Sequence, residues 1–559
     1  MKKVNGQPFP LGVSRIENCI NFALPVSGEK KCNLLIYPVG EAEPFEIFEM
    51  DQTFGEMQCL AIENLDITAY EYMYEVDGNL FADPYARALS GKKKWGEIVP
   101  SNELRSGFYQ PEYDWEDDRP LEIPYHEVIA YSLHVRGYTM DSSLVKEKGT
   151  FEGLTEKIPY LQELGINQIQ CMPVYEFEEC KEPVNYWGYG PAYYFVPKHA
   201  YSAKGDAVTS LKDMVKAFHK AGIEVVLELP FENGTPKQLM MDCIRHYRME
   251  YHIDGFVLNP QIAPWDVICT DPILHGTKIM KHQTEFKDTM RRFLKGDAGM
   301  IPAVMYWNRH ISIWDGIFNY LASHSGFTLK DMVSYNEKHN EDNGENNRDG
   351  VDYNNSWNCG EEGDTENKEV LKLRDKQMRN AFLLLLLAQG TPCILAGDEF
   401  ANSQKGNNNV YCQDNKTGWV NWKELEDNAS LFTYVKNLIA FRKETMVFHP
   451  EKEMALKDLE NLGVPEISYH SNEGWITPQD PEGRELGIYY RDDIYVAYNM
   501  HWKEKKLALP KLGGKKKWHV VATTQKGVLA KADKKEYKRI IKMKPRTIVV
   551  LAGKENHEA

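Results

Sequence analysis

The spacing of apolar and polar residues changes its period twice along the chain. Over residues 1–120, short alternating runs such as NLLIYPV (33–39) and YEYMYEV (70–76) are separated by Gly, Pro and Asn. Alternation places every second side chain on one face, so these turn-bounded runs predict a small β-sandwich. From about Val128 the grammar becomes strand, helix, strand, helix. IAYSLHV (129–135), NQIQCMPV (167–174), EVVLEL (224–229), GFVLN (255–259), TKIMKH (277–282), FNYLASH (318–324) and PCILAGDE (392–399) are short apolar runs. Amphipathic stretches such as SLKDMVKAFHKAG, TEFKDTMRRFLKG and KEVLKLRDKQMRNAFLLLLLAQG lie between them. Short buried strands alternating with helices over roughly 300 residues predict a parallel β/α barrel, with its chemistry at the C-terminal strand ends. Alternation returns in IYVAYNM (494–500) and RTIVVLA (546–552). The expected division is therefore an N-terminal β-sandwich over 1–120, a (β/α)8-type barrel over 121–445 and a C-terminal β-sandwich over 446–559.

Two polar stretches interrupt this pattern. Residues 110–119 are acidic and read as a linker, and residues 334–367, rich in Asn, Glu and Asp, are long for a loop. Composition alone would leave the second disordered.

Composition narrows the chemistry. A chain of 559 residues calls for two to four domains, and 42% hydrophobic content supplies their cores. A net charge of -16 argues against nucleic acid as a partner and suits neutral substrates. The 12 Trp and 31 Tyr exceed the needs of a core, and sugar clefts use such rings as platforms, although packing accounts for most of them. Ten cysteines without a CxxC pair give no zinc or redox motif and read as small buried hydrophobes. No cofactor or metal-ligand set is evident. The opening MKKVNGQPFPLGV lacks an apolar stretch behind its lysines, and the longest apolar run, 382–388, is far shorter than a membrane helix. The expected setting is cytoplasmic, without a membrane partner. The lysines near the C-terminus, such as KKK at 515–517, read as a solvated sheet face.

The strand ends carry longer motifs. NYWGYGP (185–191), SHSGFTLKDMVSYNEKHNEDNGENNRDG (323–350), SWNCGEEGDT (356–365), LAGDEFANSQKGNNNVYCQDN (395–415) and DPYARAL (83–89) resemble the bacterial glycogen-debranching and isoamylase group of the α-amylase superfamily. The resemblance runs from about Gly12 to the C-terminus. It implies an N-terminal sandwich of glycogen-binding-module type, an ordered 334–367 insertion, and an α-glucan or maltooligosaccharide as ligand. It also implies retaining hydrolysis of α-1,6 branches, which needs a carboxylate nucleophile and a carboxyl acid/base about 5–5.5 Å apart.

The catalytic motifs depart from that pattern. The family's strand-four GFRFD appears as GFVLN, putting Asn259 at the nucleophile position and Val257 at the arginine position. Its strand-seven His-Asp pair appears as His324-Ser325, and its strand-five acid/base falls at His282. Its strand-three LDVVYNH appears as LELPFEN, with Glu228, Glu232 and Asn233 replacing Asp, Asn and His; Pro230 there predicts an early strand end. Only residues 283–285 separate His282 from the helix beginning FKDTMRRF, where the family places a further strand. Either that sixth strand is lost or displaced, or GMIPAVMYW (299–307) has replaced it.

An amide, an imidazole and a hydroxyl cannot do the work of three carboxyl groups, and members of one constellation fail as a unit. The first expectation is a glucan-binding relative without glycosidase activity, acting alone or with an active debranching-enzyme relative. Tyr186, Trp187, Tyr189 and His324 would contact sugar; packing at a barrel mouth is the competing explanation for all four. The alternative is an active α-1,6 debrancher using relocated carboxylates, Glu228 and Glu232, whose parity would place them on one strand face. A third reading is a scaffold with no carbohydrate role.

Overall fold

The computed structural model describes residues 1–28, 30–100, 102–109, 112–311 and 316–555. At the N-terminus two antiparallel sheets pack face to face. The two runs picked out by alternation, Cys32–Pro38 and Tyr70–Val76, pair with Leu34 opposite Tyr74 and Ile36 opposite Tyr72. These four side chains meet Phe22, Leu60 and Ile62 of the other sheet in a closed core.

Seven parallel strands follow: β1 (Ala130–Leu133), β2 (Gln168–Cys171), β3 (Glu224–Glu228), β4 (Gly255–Val257), β5 (Lys278–Met280), β6 (Phe318–Asn319) and β7 (Thr391–Leu395). They pair in the order β5-β4-β3-β2-β1-β7-β6. A parallel bridge from Lys281 to Ile317 joins the two ends into a barrel. Each strand is shorter than its apolar run. The helices that matter below are α1 (Ala207–Lys220), α2 (Lys237–Glu250), α3 (Thr284–Lys295), α4 (Ile301–Arg309) and α5 (Lys368–Leu386).

The missing strand is resolved by the order of pairing. Among the described residues no strand lies between β5 and β6, and GMIPAVMYW forms α4, with Pro302 in its first turn, instead of a replacement strand. α3 begins at Thr284, directly after β5, and α3 with α4 makes the long crossover that parallel neighbours need.

Neither polar stretch hangs free. In the linker, residues 110 and 111 lie outside the described residues; beyond them Trp115 stacks on His252 with ring centres 3.9 Å apart, and Asp118 meets His219 at 3.0 Å. The 334–367 segment is tied by amides: Asn340 Nδ2 donates to Asn408 Oδ1 (2.9 Å), Asn408 Nδ2 to Asn354 Oδ1 (2.9 Å) and Asn343 Nδ2 to Asp349 Oδ2 (2.7 Å). Paired in this way, the amides that the segment does bury find partners. After a helix at Ala429–Glu444, the chain ends in antiparallel strands whose core includes Tyr495, Trp518 and Leu551. No helix among the described residues is long and apolar enough to cross a membrane.

Candidate active site at the barrel mouth

Alternation along the barrel strands stacks the interior in layers. At the N-terminal end, Glu224 Oε2 accepts from Gln168 Nε2 (2.8 Å), while its Oε1 accepts from Lys278 Nζ (2.5 Å) and Ile123 N (2.7 Å). Two residues further along each strand the layer is apolar, built from Val226, Val257, Met280, Phe318 and Cys393. Another two residues bring β3 and β5 to Glu228 and His282, at the mouth.

Glu228 is the hub there. Tyr189 Oη donates to its Oε1 at 2.5 Å, and the Nε2 atoms of His282 and His324 each lie 3.9 Å from the same oxygen. Tyr189 Oη also meets His324 Nε2 at 2.8 Å. A phenol that donates to a carboxylate accepts from its other neighbour, so Nε2 of His324 carries the proton and Nδ1 is bare. That Nδ1 is buried without a partner. The ring of His324 stands edge-on to Trp187 with centres 5.0 Å apart. His282 packs on Phe318 at 5.2 Å.

The apolar layer below explains the electrostatics. With Val257 in place of a guanidinium, burial raises the Glu228 carboxyl above its ordinary range, opposed by His282 and the Tyr189 hydrogen bond. Burial also lowers His282 and takes His324 down to about 4, so His324 is neutral near pH 7. Among the described residues, the cluster around the Glu228 carboxyl group joins it to two imidazoles and one phenol.

Other expected residues fall elsewhere. β3 ends at Glu228, as Pro230 foretold, and Glu232 lies on the turn beyond it, exposed. The two glutamates do not share a strand face; Glu232 Oε1 instead comes within 3.9 Å of the space above Gly190, next to Tyr189. Asn259 is exposed, and its Oδ1 accepts from Gln261 N at 3.0 Å in a local turn. Ser325 is exposed beside His324. Tyr186 is only 1% exposed, and its hydroxyl donates to Gly418 O at 3.2 Å, so it buttresses the mouth and presents no ring face. Trp187 is buried as well.

Sequence reasoning missed His134. It closes the first turn of the helix after β1 by accepting from Gly137 N (3.0 Å), and its Nε2 meets Tyr186 O at 2.9 Å. HVRGYT (134–139) was readable as a strand end, but a histidine that caps and braces leaves no mark in spacing.

The alpha-amylase catalytic domain matches residues 134–256. A glycogen operon protein GlgX homolog from Haemophilus influenzae is 30% identical, over 79% of this chain and 85% of its own length. The chain belongs to the isoamylase and glycogen-debranching group of the α-amylase superfamily. Chloroplastic isoamylase 1 of Oryza sativa subsp. japonica is 27% identical over 93% of this chain and 82% of its own. A pullulanase from Paenibacillus barengoltzii, solved in complex with maltohexaose and alpha-cyclodextrin, matches the fold with a TM-score of 0.73 at 18% identity, covering 98% of this chain and 95% of its own. Within this debranching group, a carbohydrate-metabolism family of glycoside hydrolases, the described residues of the present chain form a barrel of seven parallel strands with Glu228 at its mouth.

Proposed function

We propose that this chain binds α-glucan and has lost glycosidase activity. One observation carries the reading: among the described residues, the cluster at the mouth is centred on a single carboxyl group, Glu228, held by Tyr189 and flanked by two imidazoles. Retaining hydrolysis needs two carboxyl groups about 5–5.5 Å apart, and the positions matched to the family's carboxylates carry Asn259, His282 and Ser325. Tyr189, His282 and His324 supply hydroxyl- and imidazole-based contacts suited to sugar hydroxyls, with Trp187 behind them. The domain division follows from this role: the N-terminal sandwich, of glycogen-binding-module type, and the barrel address one branched polymer, in the cytoplasm, alone or alongside an active debranching relative. The pure protein incubated with glycogen and pullulan should release no reducing ends, while calorimetric titration with maltohexaose should show saturable binding. Absence of binding to any maltooligosaccharide would reduce the chain to a scaffold.

A second reading has one observation behind it. Glu228 has the buried, raised carboxyl expected of a general acid, and an enzyme could use it with Glu232 moving in from the turn. Reducing-end release that disappears in both E228Q and E232Q would establish that reading and overturn the first.

A further inference from the structure

A second recess lies away from the barrel mouth. A cavity of about 500 Å³ opens between α5 and the C-terminal sheets, within the range of roughly 300–1,000 Å³ that small-molecule sites occupy. Its floor is apolar: Val520, Met543 and Val549 belong to the C-terminal core, and Leu529 packs against it. Its rim is cationic. Lys372, Lys376 and Arg379 project from α5, Lys526 comes from a turn, and Lys542 and Lys544 from the strand Ile540–Met543 and its end. Two carboxylates, Asp375 and Asp533, also line it. Asp375 is taken up by Arg379 at 2.9 Å, and Lys372 pairs with Glu369 outside the cavity at 2.8 Å. Among the described residues no carboxylate pairs with Lys376, Lys526, Lys542 or Lys544.

Crowding of unpaired like charge in a chain of net charge -16 runs against its overall balance. Lys376 registers that crowding. Its Nζ donates to Pro545 O at 2.6 Å, and its pKa is lowered by burial and then by Lys544 and Arg546. An anion in the recess would relieve the repulsion among these groups. Lysines on a merely solvated sheet face would diverge into water, whereas these converge on one hollow from three elements.

We propose that this recess binds an organic phosphate of the nucleoside diphosphate class, its phosphates among Lys376, Lys542 and Lys544 and its base on the floor of Val520, Leu529 and Val549. Free phosphate would satisfy the rim and leave the floor empty. A neutral sugar would satisfy neither.

The test is calorimetric titration of the full-length protein with ADP, with inorganic phosphate and maltose as controls. One-to-one ADP binding is expected, at least about tenfold tighter than phosphate, with no heat from maltose at this site. Affinity should fall at least about tenfold in a K542E/K544E variant, whose substitutions lie at exposed positions, and should weaken from 50 to 300 mM salt as screening dictates. The salt series uses the wild-type protein and decides the matter even if the variant misfolds. No ADP binding, phosphate binding as tightly as ADP, or affinity indifferent to both salt and charge reversal would each overturn the proposal.

Discussion

Replacing Tyr189 by Phe removes a single oxygen, the one that links His324 to Glu228. The lost bonds are 2.5 Å to the Glu228 carboxylate and 2.8 Å to His324 Nε2. A hydrogen bond to a charged group contributes about 1.5–3 kcal/mol. The Glu228 side chain is 13% exposed, so some water can replace the phenol, which places the coupling in the lower half of that range, about 1.5–2 kcal/mol. A double-mutant cycle of Y189F, E228L and the double variant isolates this term, because each substitution removes one partner at nearly constant volume. Chemical denaturation followed by tryptophan fluorescence at pH 8 reads it out, with the barrel transition compared across the four proteins. The coupling should depend on pH. Burial holds the Glu228 carboxyl above the ordinary 4.5, so as pH falls through that raised value the acceptor becomes neutral and the coupling drops to about 0.5–1 kcal/mol. A coupling below about 0.3 kcal/mol at pH 8, or one unchanged between pH 8 and pH 4, would refute the assignment of Glu228 as an ionised hub held by Tyr189.

Further outcomes follow from the same layers. Because the folded-state pKa of Glu228 is raised, its contribution is fully present below the free carboxyl value and lost as pH rises through the folded value; E228Q should therefore gain melting temperature over wild type between pH 5 and pH 8, and a constant difference would contradict it. The buried histidines act on the acid side: burial takes His134 to about 3 and His324 and His470 to about 4, so stability should fall as pH drops from 6.5 towards 4, and an H324Q/H470Q variant should show a shallower decline. Lys278→Met strands Glu224 in the barrel floor and should destabilise by about 3–5 kcal/mol, whereas K278M/E224L should recover most of that loss in urea titrations. Restoring two family carboxylates as N259D/S325D should yield no detectable reducing ends from pullulan, since His282 still stands at the acid/base position and Val257 supplies no cation; measurable release would show that the loss rests on fewer positions than argued.

The local pattern carried the architecture because the periodicities of strand and helix are local. EVVLEL, GFVLN and TKIMK each became a barrel strand, and the alternation within them set which side chains face inward, including Val257. The proposed motif departures at Asn259, His282 and Ser325 rest on residue identity alone, which the sequence states directly. Pro230 marked the end of β3 for the same reason: a missing backbone donor is written in the sequence. What spacing could not supply was the partner of each group. The pairing of β5 with β6 through Lys281 and Ile317, which closes a barrel of seven strands, depends on contacts between residues 36 apart, and α4 became a helix where a strand was an open alternative. The convergence of Tyr189, Glu228, His282 and His324 draws on four separate loops and strand ends, so their shared oxygen exists only once the barrel has closed. Glu232, four residues from Glu228, lies apart from it because the strand stops before the alternation can act, and Tyr186 is spent on a carbonyl of a residue 232 positions away. Side-chain type and local period are properties of the chain; burial, protonation and proximity are set by whatever the folded neighbours happen to be.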